Sequence, residues 1–358
     1  MGRVGRIGWI EVARVLGALG VVMLHVFTSA IWAADFELST MRMTVYAIFG
    51  IVFGRWAVPA FFMITGFLLL DPARQVGWQQ VRRYAGRMAL VLATFGFLFA
   101  LMEETSYCLA DGDPLSPAIL VSSVYDVLTA SSWDHLWYVY ALVFVYLLVP
   151  LVRLIWQRVG ERGFTVFSLV FFVVAMVVPT LVRLVIVAGG GEVEIPQQGL
   201  VSLLLNVVVG MSCLCLGGCL RTWLREERYL KPIVVAGVVS LVAMLVVSIA
   251  WQDNEYIGFI ILQGSCFACA YALFILVMLY KLVGEDQVRD GSAIEALAQD
   301  SFGIYVLHPV FVHVLLLAVN PLDYPPVVFE VVFYAVVLTA SVIATRLVRR
   351  VPVVGDLL

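Results

Sequence analysis

The chain has 358 residues, of which 63% are hydrophobic and only 13% are charged, with a formal net charge of −3 and a mean hydropathy of +1.01. Soluble domains are roughly 45–50% apolar and about 25% charged, and apolar surface on this scale can be hidden only by lipid. The composition therefore excludes a soluble enzyme, a nucleic-acid binder and a disordered chain, and predicts an all-α integral membrane protein with a bundle of about ten transmembrane helices.

Runs of apolar residues bounded by charged residues, Pro and Gly predict the membrane spans. Each run has about 20 residues or more, enough to cross the hydrocarbon core as a helix. Two connecting loops, 107–132 and 281–300, are longer than the others, and the second is expected to form a short interfacial helix. Since neither loop is a domain, residues 1–358 are predicted to form one membrane-embedded domain. The predicted spans are 7–33, 43–70, 84–106, 133–152, 164–188, 199–220, 232–251, 257–280, 301–319 and 327–345.

The basic residues predict which side of the membrane each loop faces. With ten spans both termini lie on one side, and 18 of the 22 Lys and Arg residues fall on that side. Arg42 and Arg183 fall on the opposite side, and Arg14 and Arg55 lie within spans. Because cytoplasmic loops carry such an excess of basic residues, both termini are predicted to be cytoplasmic.

The first span carries three ionisable side chains, Glu11, Arg14 and His25. Such groups are costly within a bilayer, so each is a functional hypothesis. If the span is a helix, Arg14 and His25 share one face about 16 Å apart along the axis, and Glu11 lies one turn before Arg14. In a purely structural interpretation, Arg14 pairs with Glu11 and His25 bonds a neighbouring helix. The shared face favours a polar track, with His25 as the group that transfers a proton.

Arginines also mark the second and third spans. Arg55 lies deep in the second span ahead of the helix-breaking Pro59, and a snorkelling role and a functional role suit it equally well. Arg82, Arg83 and Arg87 begin the third span, and Arg83 and Arg87 share a face because they are four residues apart. Such a cluster is typical of an anchor at the cytoplasmic interface, but it also suits a phosphate-bearing ligand.

The start of the fourth span combines ionisable and aromatic residues at the outer membrane boundary. Trp137 and Tyr138 are explained by the aromatic belt that membrane proteins place at this depth. The belt does not explain why Asp134 and His135 stand together beside it. We therefore treat the pair as a candidate for the outer mouth of a polar cavity.

The ninth span contains His308 and His313. His308 precedes Pro309, which interrupts the hydrogen bonds of a helix and lets its backbone face a cavity. The two histidines are separated by about 140° around a helix, so they are not expected to act as one pair.

A metal site is not expected. Cys266 and Cys269 form a C-x-x-C pair inside an apolar run, but a zinc or redox site of this kind needs a second pair of Cys or His ligands. Small residues between membrane helices are the more ordinary use of such cysteines.

Four blocks of sequence carry a joint pattern. Arg14 and His25 provide an R-x10-H spacing within IEVARVLGALGVVMLHVF. The block WAVPAFFMITGFLLL fits V-P-x-F-F-x-x-[ST]-G-[FY], HLWYVYALVFVYLLVPLV begins with His135, and SFGIYVLHP contains Tyr305 and His308. Together the blocks resemble the bacterial membrane acyltransferase family 3, in its standalone form without an appended soluble domain. They extend from residue 7 to about 309, which is nearly the whole chain.

The resemblance implies transfer of an acyl group, usually acetyl, from cytoplasmic acyl-CoA to a hydroxyl of a cell-envelope glycan or lipid-linked sugar. Acetyl-CoA is the expected donor. The implied location is the bacterial cytoplasmic (inner) membrane, where the protein is multi-pass. Its partners would be acyl-CoA, the sugar acceptor and the lipid bilayer, with no nucleic acid.

The resemblance also implies roles for the candidate residues. His25 would be the base or a transient acyl carrier, Arg14 would orient it or stabilise the oxyanion, and Glu11 would hold Arg14. The CoA phosphates would meet the arginine cluster, although relatives often carry R-x-x-R there, so which arginine plays which part is open. The cluster consists of Arg82, Arg83 and Arg87. The substrate cavity would be lined by Arg55, Asp134, His135, Trp137, Tyr138, Tyr305 and His308.

A transporter of a small polar solute or proton is the other function that the polar track allows, with the histidines as a relay. Many transporters are built from inverted halves, and this sequence has no visible internal repeat. The arginine cluster and the four blocks favour the enzyme.

Overall fold

The computed structural model describes residues 7–33, 44–193, 196, 198–250, 265–286, 288–289 and 291–358. Within these ranges the chain consists of helices and turns, without a strand. Three π-helical stretches, Ala47–Gly54, Leu92–Gly96 and Val173–Val177, lead into α2, α4 and α7. The α-helices are α1 (Gly8–Ala33), α2 (Ala57–Leu69), α3 (Trp78–Val91), α4 (Phe97–Asp111), α5 (Ala118–Thr129), α6 (Trp137–Phe172), α7 (Val178–Ala188), α8 (Gly199–Arg225), α9 (Glu227–Ala250), α10 (Cys266–Val283), α11 (Ala293–Leu316) and α12 (Pro326–Val348).

The described helices have the length and surface of membrane spans. Eight helical stretches among the described residues have at least 18 residues and are apolar enough to cross a membrane. Large apolar side chains project from their outer faces, including Val185, Leu204 and Val328, which are 72%, 67% and 61% exposed. An exposed apolar surface of this extent suits lipid and not water. The predicted all-α integral membrane fold is confirmed.

Helix extends from the fourth and the fifth predicted spans into the loop expected between them, and the two helices meet at Gly160. The chain nevertheless turns back at Gly160, whose φ of 70° and ψ of −179° are not helical. Trp156 and Phe164 stack with their ring centroids 4.5 Å apart, although eight residues in a straight helix span about 12 Å. The run therefore contains two limbs that pack side by side. Glycine suits the turn because a side chain disfavours positive φ.

Two predicted loops also contain helix. The loop predicted at 107–132 holds α5, and the short interfacial helix expected within 281–300 is wrong, because α11 begins at Ala293 and continues unbroken to Leu316. Ser292 caps that helix by accepting a hydrogen bond from Glu295 N. Of the predicted eighth span, residues 257–264 lie outside the described residues, and α10 begins at Cys266.

The beginning of α1 and the end of the chain lie at the same end of the bundle. Trp9 N donates to Gly284 O at 3.2 Å after α10, and Arg87 Nη2 in α3 donates to Leu357 O at 3.2 Å. Asp300 near the start of α11 pairs with Arg346 of α12 at 2.8 Å and with Arg349, just after α12, at 2.9 Å. These segments are the ones that the distribution of basic residues assigns to the cytoplasmic side.

Two glycines bring α1 against the segment that leads into α2. A Cβ atom on Gly20 would lie 2.1 Å from Phe53 O, and one on Gly54 would lie 2.7 Å from Leu24 Cβ. Both distances are too short for a side chain, so this contact exists only because both residues lack one. The contact places the start of α2, and with it Arg55, at the level of α1 that carries His25.

Candidate active site

Three of the four histidines meet inside the bundle. The ring centroids of His25 in α1 and His308 in α11 are 4.9 Å apart, at an interplanar angle of 61°. His135, from the short turn before α6, lies 5.9 Å from His308. The remaining histidine, His313, packs against Trp133 at 5.6 Å. The bundle thus brings together His25, His135 and His308, which the sequence singled out separately.

Hydrogen bonds to backbone carbonyls identify which nitrogen of each ring carries a proton. A carbonyl oxygen can only accept, so the nitrogen that faces it must donate. Nδ1 of His25 donates to Val21 O at 2.9 Å, Nδ1 of His308 donates to Tyr305 O at 2.8 Å, and Nε2 of His135 donates to a carbonyl of α11 at 3.2 Å. In each neutral ring the other nitrogen therefore carries a lone pair that can accept a proton.

The three rings differ in their accessibility. His308 is completely buried and His135 is 5% exposed, whereas His25 is half-buried. Nε2 of His308 is buried without a hydrogen-bond partner among the described residues. Of the three, His25 is the ring that a substrate can reach, and the other two form the wall behind it.

Arg55 lies beside this cluster. Its Nη2 donates to the hydroxyl of Tyr46 at 2.7 Å, and its charge acts on the His25 ring. The guanidinium thus provides a fixed positive charge close to the accessible histidine. Sequence reasoning singled out Arg55 but not Tyr46, which precedes the π-helical stretch.

Arg14 occupies a different part of α1. Because α1 is helical throughout, Arg14 and His25 lie about 16 Å apart along its axis. Arg14 Nη1 pairs with Glu11 Oε1 at 3.0 Å; the arginine side chain is 37% exposed and the glutamate side chain 7%. Arg14 also acts electrostatically on Tyr138 and Tyr146 of α6. The ion pair therefore lies nearer than the histidines to the end of the bundle where α1 begins.

Tyrosines connect the level of Arg14 with the histidine cluster. Tyr138 and Tyr305 meet with ring centroids 5.4 Å apart, and the Tyr305 hydroxyl donates to the backbone carbonyl of His135. Tyr146, two turns after Tyr138 along α6, lies 5.5 Å from Tyr84 of α3. The sequence identified Tyr138 and Tyr305, and Tyr146 belongs to the block that begins with His135, whereas Tyr84 carried no signal beyond its aromatic character.

The arginine cluster lies on the outer face of α3. Arg82, Arg83 and Arg87 are exposed, and the opposite face of the helix is buried through Val81 and Met88. Of the three, Arg87 has contacts with other described residues: it donates a hydrogen bond to the carbonyl of Leu357, and its guanidinium lies 6.0 Å from the ring centroid of Phe302. The cluster is therefore open to solvent at the end of the bundle where α1 begins.

Asp134 and Trp137 belong to a small cleft next to the histidine cluster. Asp134 Oδ1 accepts a hydrogen bond from Gln198 Nε2 at 2.6 Å, and Asn206 Nδ2 donates to Ser202 Oγ at 3.2 Å. Sequence reasoning missed Asn206, although an Asn within a predicted span was a signal in itself. The lining consists of Ala130, Ser132, Asp134, Trp137, Tyr140, Gln198, Ser202, Leu203 and Asn206.

The chain matches a known family over most of its length. A family model described as an acyltransferase domain matches residues 7–346. The chain belongs to the acyltransferase family 3. No curated protein and no solved structure matches it. The family confirms a multi-pass membrane acyltransferase, and it decides between the two interpretations of the polar track in favour of the enzyme.

Proposed function

We propose that this membrane acyltransferase moves an acetyl group from cytoplasmic acetyl-CoA to a hydroxyl of a cell-envelope glycan or lipid-linked sugar, in the bacterial cytoplasmic membrane. The observation that carries the proposal is the hydrogen bonding of the His25 ring. Its Nδ1 is occupied by Val21 O, which leaves Nε2 as a base on the accessible side of the cluster. Arg55 adds a fixed positive charge next to it.

The transfer step uses both groups. The acceptor hydroxyl gives its proton to Nε2 of His25 while its oxygen attacks the thioester carbonyl, so that a C–O bond forms and a tetrahedral oxyanion develops. As the oxyanion collapses, the C–S bond breaks and the departing CoA thiolate takes the proton from His25. Arg55 stabilises the oxyanion, a kind of interaction typically worth about 10²–10³-fold in rate.

The sequence leaves a second route open, in which His25 takes the acetyl group transiently. The two routes differ before acceptor is added. An acyl-histidine would trap radiolabel from acetyl-CoA on the protein, and the label would pass to acceptor on its addition. Direct transfer leaves the protein unlabelled.

Arg14 is better suited to the donor than to the oxyanion. It lies about 16 Å from His25 along α1, farther than its side chain reaches. Its position by Tyr138 and Tyr146 suits a role in orienting the arm of the donor on its way from the cytoplasmic side. Arg14→Lys should therefore raise KM for acetyl-CoA, and Arg55→Lys should lower kcat. The reverse pattern would exchange the two roles.

The exposed arginines of α3 are suited to the anionic part of the donor. Phosphates bind arginine through bidentate, charge-assisted hydrogen bonds, and Arg82, Arg83 and Arg87 are open to solvent. Tyr84, on the same helix, connects this cluster to the tyrosines that lead toward the histidines. We therefore assign the CoA phosphates to this face of α3.

Equilibrium binding of acetyl-CoA to the purified protein in nanodiscs tests the donor site. Arg82→Ala, Arg83→Ala and Arg87→Ala should each weaken binding, whereas Arg158→Ala should not, since Arg158 is an exposed arginine that the sequence assigns to the same side. A wild-type protein that does not bind acetyl-CoA at millimolar concentration would overturn the proposed donor.

Transfer of radiolabelled acetyl to glycan tests the base. His25→Ala should abolish transfer while the affinity for acetyl-CoA stays close to that of the wild type, because the ring lies far from the arginine cluster. Transfer at the wild-type rate by His25→Ala would remove His25 from the mechanism.

A further inference from the structure

The cleft beside Asp134 contains a polar residue that the transfer step does not use. Asn206 lies two turns into α8, within a helix that crosses the membrane, where an amide side chain is costly. Its amide can make up to four hydrogen bonds, and among the described residues it makes one, to Ser202 of its own helix. Neither helix packing nor the catalytic cluster accounts for its presence.

We propose that this cleft, defined by Asp134, Trp137, Gln198, Ser202 and Asn206, binds one sugar ring of the acceptor from the outer side of the membrane. The inference rests on the proposed function, since it supplies the binding site for the acceptor of that reaction.

The chemistry of the lining suits a carbohydrate. Asp134 offers a carboxylate that can accept from two neighbouring hydroxyls, and the amides of Gln198 and Asn206 each pair a donor with an acceptor. Trp137 is half-exposed, and its ring offers the apolar face on which the C–H side of a sugar packs. A few placed polar groups beside an aromatic ring are the usual composition of a specific ligand site.

The contacts already present in the cleft are ones that a sugar can replace. With the hydrogen bond from Gln198 to Asp134 in place between the residue before α8 and the turn before α6, the cleft has a volume of about 10 Å³, which is room for about one water molecule, so a sugar ring enters only when this bond is exchanged. Both side chains are exposed, so a pair of sugar hydroxyls can take the place of each partner without leaving a buried group unsatisfied.

The cleft is also placed for transfer. Asp134 and His135 are consecutive residues of one short turn, and the charge of Asp134 acts on the His25 ring. The His135 ring lies 5.9 Å from His308, on the wall of the catalytic cluster. A sugar ring held at Asp134 is therefore anchored on the turn that also carries His135, and in this proposal the acceptor and the cytoplasmic donor approach the reaction from opposite ends of the bundle.

Saturation-transfer NMR on the protein in nanodiscs tests the site without turnover. The probes are the methyl glycosides of glucose, galactose, mannose and rhamnose, with cyclohexanol as an apolar alcohol of similar size. We expect at least one glycoside to bind and cyclohexanol not to bind. Asn206→Leu should weaken the binding about tenfold, as the loss of one or two hydrogen bonds implies, and leucine suits a membrane helix if the amide is not needed.

The matched control is Ser212→Ala, on the same helix but deep in the core, which should bind the glycosides as the wild type does. With the best-binding glycoside as acceptor, Asn206→Leu and Asp134→Asn should raise its KM and leave the affinity for acetyl-CoA unchanged.

Two results would overturn the inference. One is that none of the four glycosides binds to the wild type, and the other is that Asn206→Leu binds them as tightly as Ser212→Ala does. If the wild type fails to bind acetyl-CoA, only the proposed donor is overturned, because the NMR measurement of sugar binding needs no donor.

Discussion

Gly20→Ala tests whether the close contact between α1 and the start of α2 sets the geometry of the reaction. The added Cβ atom would lie 2.1 Å from Phe53 O, a backbone atom that no rotamer change can move. Ordinary contacts of a Cβ atom begin at 3.4 Å, so the two segments must separate by about 1.3 Å. Arg55 follows Phe53 by two residues and must move with it, away from His25.

The expected loss of rate follows from this displacement. Misplacement of a catalytic group by about 1 Å can cost about 100-fold in rate, which corresponds to about 2.7 kcal/mol of transition-state stabilisation. We therefore expect Gly20→Ala to lower kcat by about two orders of magnitude. The affinity for acetyl-CoA should remain within about twofold of the wild-type value, because the arginine cluster lies on α3, which this contact does not involve.

The assay is acetyl transfer from radiolabelled acetyl-CoA to the best methyl glycoside, with the protein in nanodiscs and donor binding measured on the same samples. Gly86→Ala is the matched control, since its Cβ atom would meet nothing within 4 Å, and it should transfer at the wild-type rate. Thermal unfolding of each variant shows whether the bundle remains assembled.

A second substitution sharpens the test. Gly54→Ala crowds the same contact from the other side, with its Cβ atom 2.8 Å from Gly20 O. If both variants act by separating the same two segments, the double variant should lose much less activity than the product of the two single losses. A folded Gly20→Ala protein with more than half of the wild-type kcat would refute the link between this contact and catalysis.

Three further predictions concern the scaffold. Gly217→Ala places a Cβ atom 2.0 Å from a backbone carbonyl of α2 and should destabilise the bundle by about 1–3 kcal/mol, seen as a lower midpoint of unfolding in urea; an unchanged midpoint contradicts it. Asp300→Asn weakens two ion pairs to half-exposed arginines and should cost about 1–2 kcal/mol, whereas the exposed Asp323→Asn should cost nothing measurable by the same assay. Arg153 holds the segment after α2 by donating to three of its backbone carbonyls. Lysine in Arg153→Lys cannot bridge all three, so trypsin should cut after Arg74 faster than in the wild type; equal cleavage rates contradict this role.

The long apolar runs predicted helices well because their length and boundaries leave few alternatives. The first span was predicted at 7–33 and is observed at Gly8–Ala33, and the last was predicted at 327–345 and is observed at Pro326–Val348. A segment of about 20 apolar residues in lipid must satisfy its backbone internally, and a helix does so.

The errors in the predicted helix boundaries lie where helix occurs outside the apolar runs. The polar connection around Gly160 is shorter than predicted, because helix extends from both sides up to the turn at Gly160 and the Gln, Arg and Glu residues there are good helix formers. The helix Ala118–Thr129 was missed because 12 residues are too few to cross a bilayer. Hydropathy reports burial in lipid, and these two segments do not depend on it.

The candidate residues could be found from sequence and the family resemblance implied a common cavity, but no pattern in the sequence itself shows which of them meet. Polar residues in apolar spans drew attention to His25, His135 and His308 one by one. Their meeting depends on the rotation and depth of three helical segments, which are set by contacts such as that between Gly20 and Phe53. No periodicity in a single span records those contacts. The separation of Arg14 from His25 was the exception, because it follows from one helix alone.

The proton states of the histidines suit the hydroxyl that we propose as acceptor. Each of His25, His135 and His308 gives its N–H to a backbone carbonyl, so the other nitrogen of each neutral ring carries a lone pair and no ring has an N–H left to donate to another. A group that enters the cluster must therefore bring its own donor, and an acceptor hydroxyl does so. Burial of two of the rings limits the number of water molecules that can compete for the same lone pairs, which in the proposed reaction would favour transfer to the sugar over hydrolysis of the thioester.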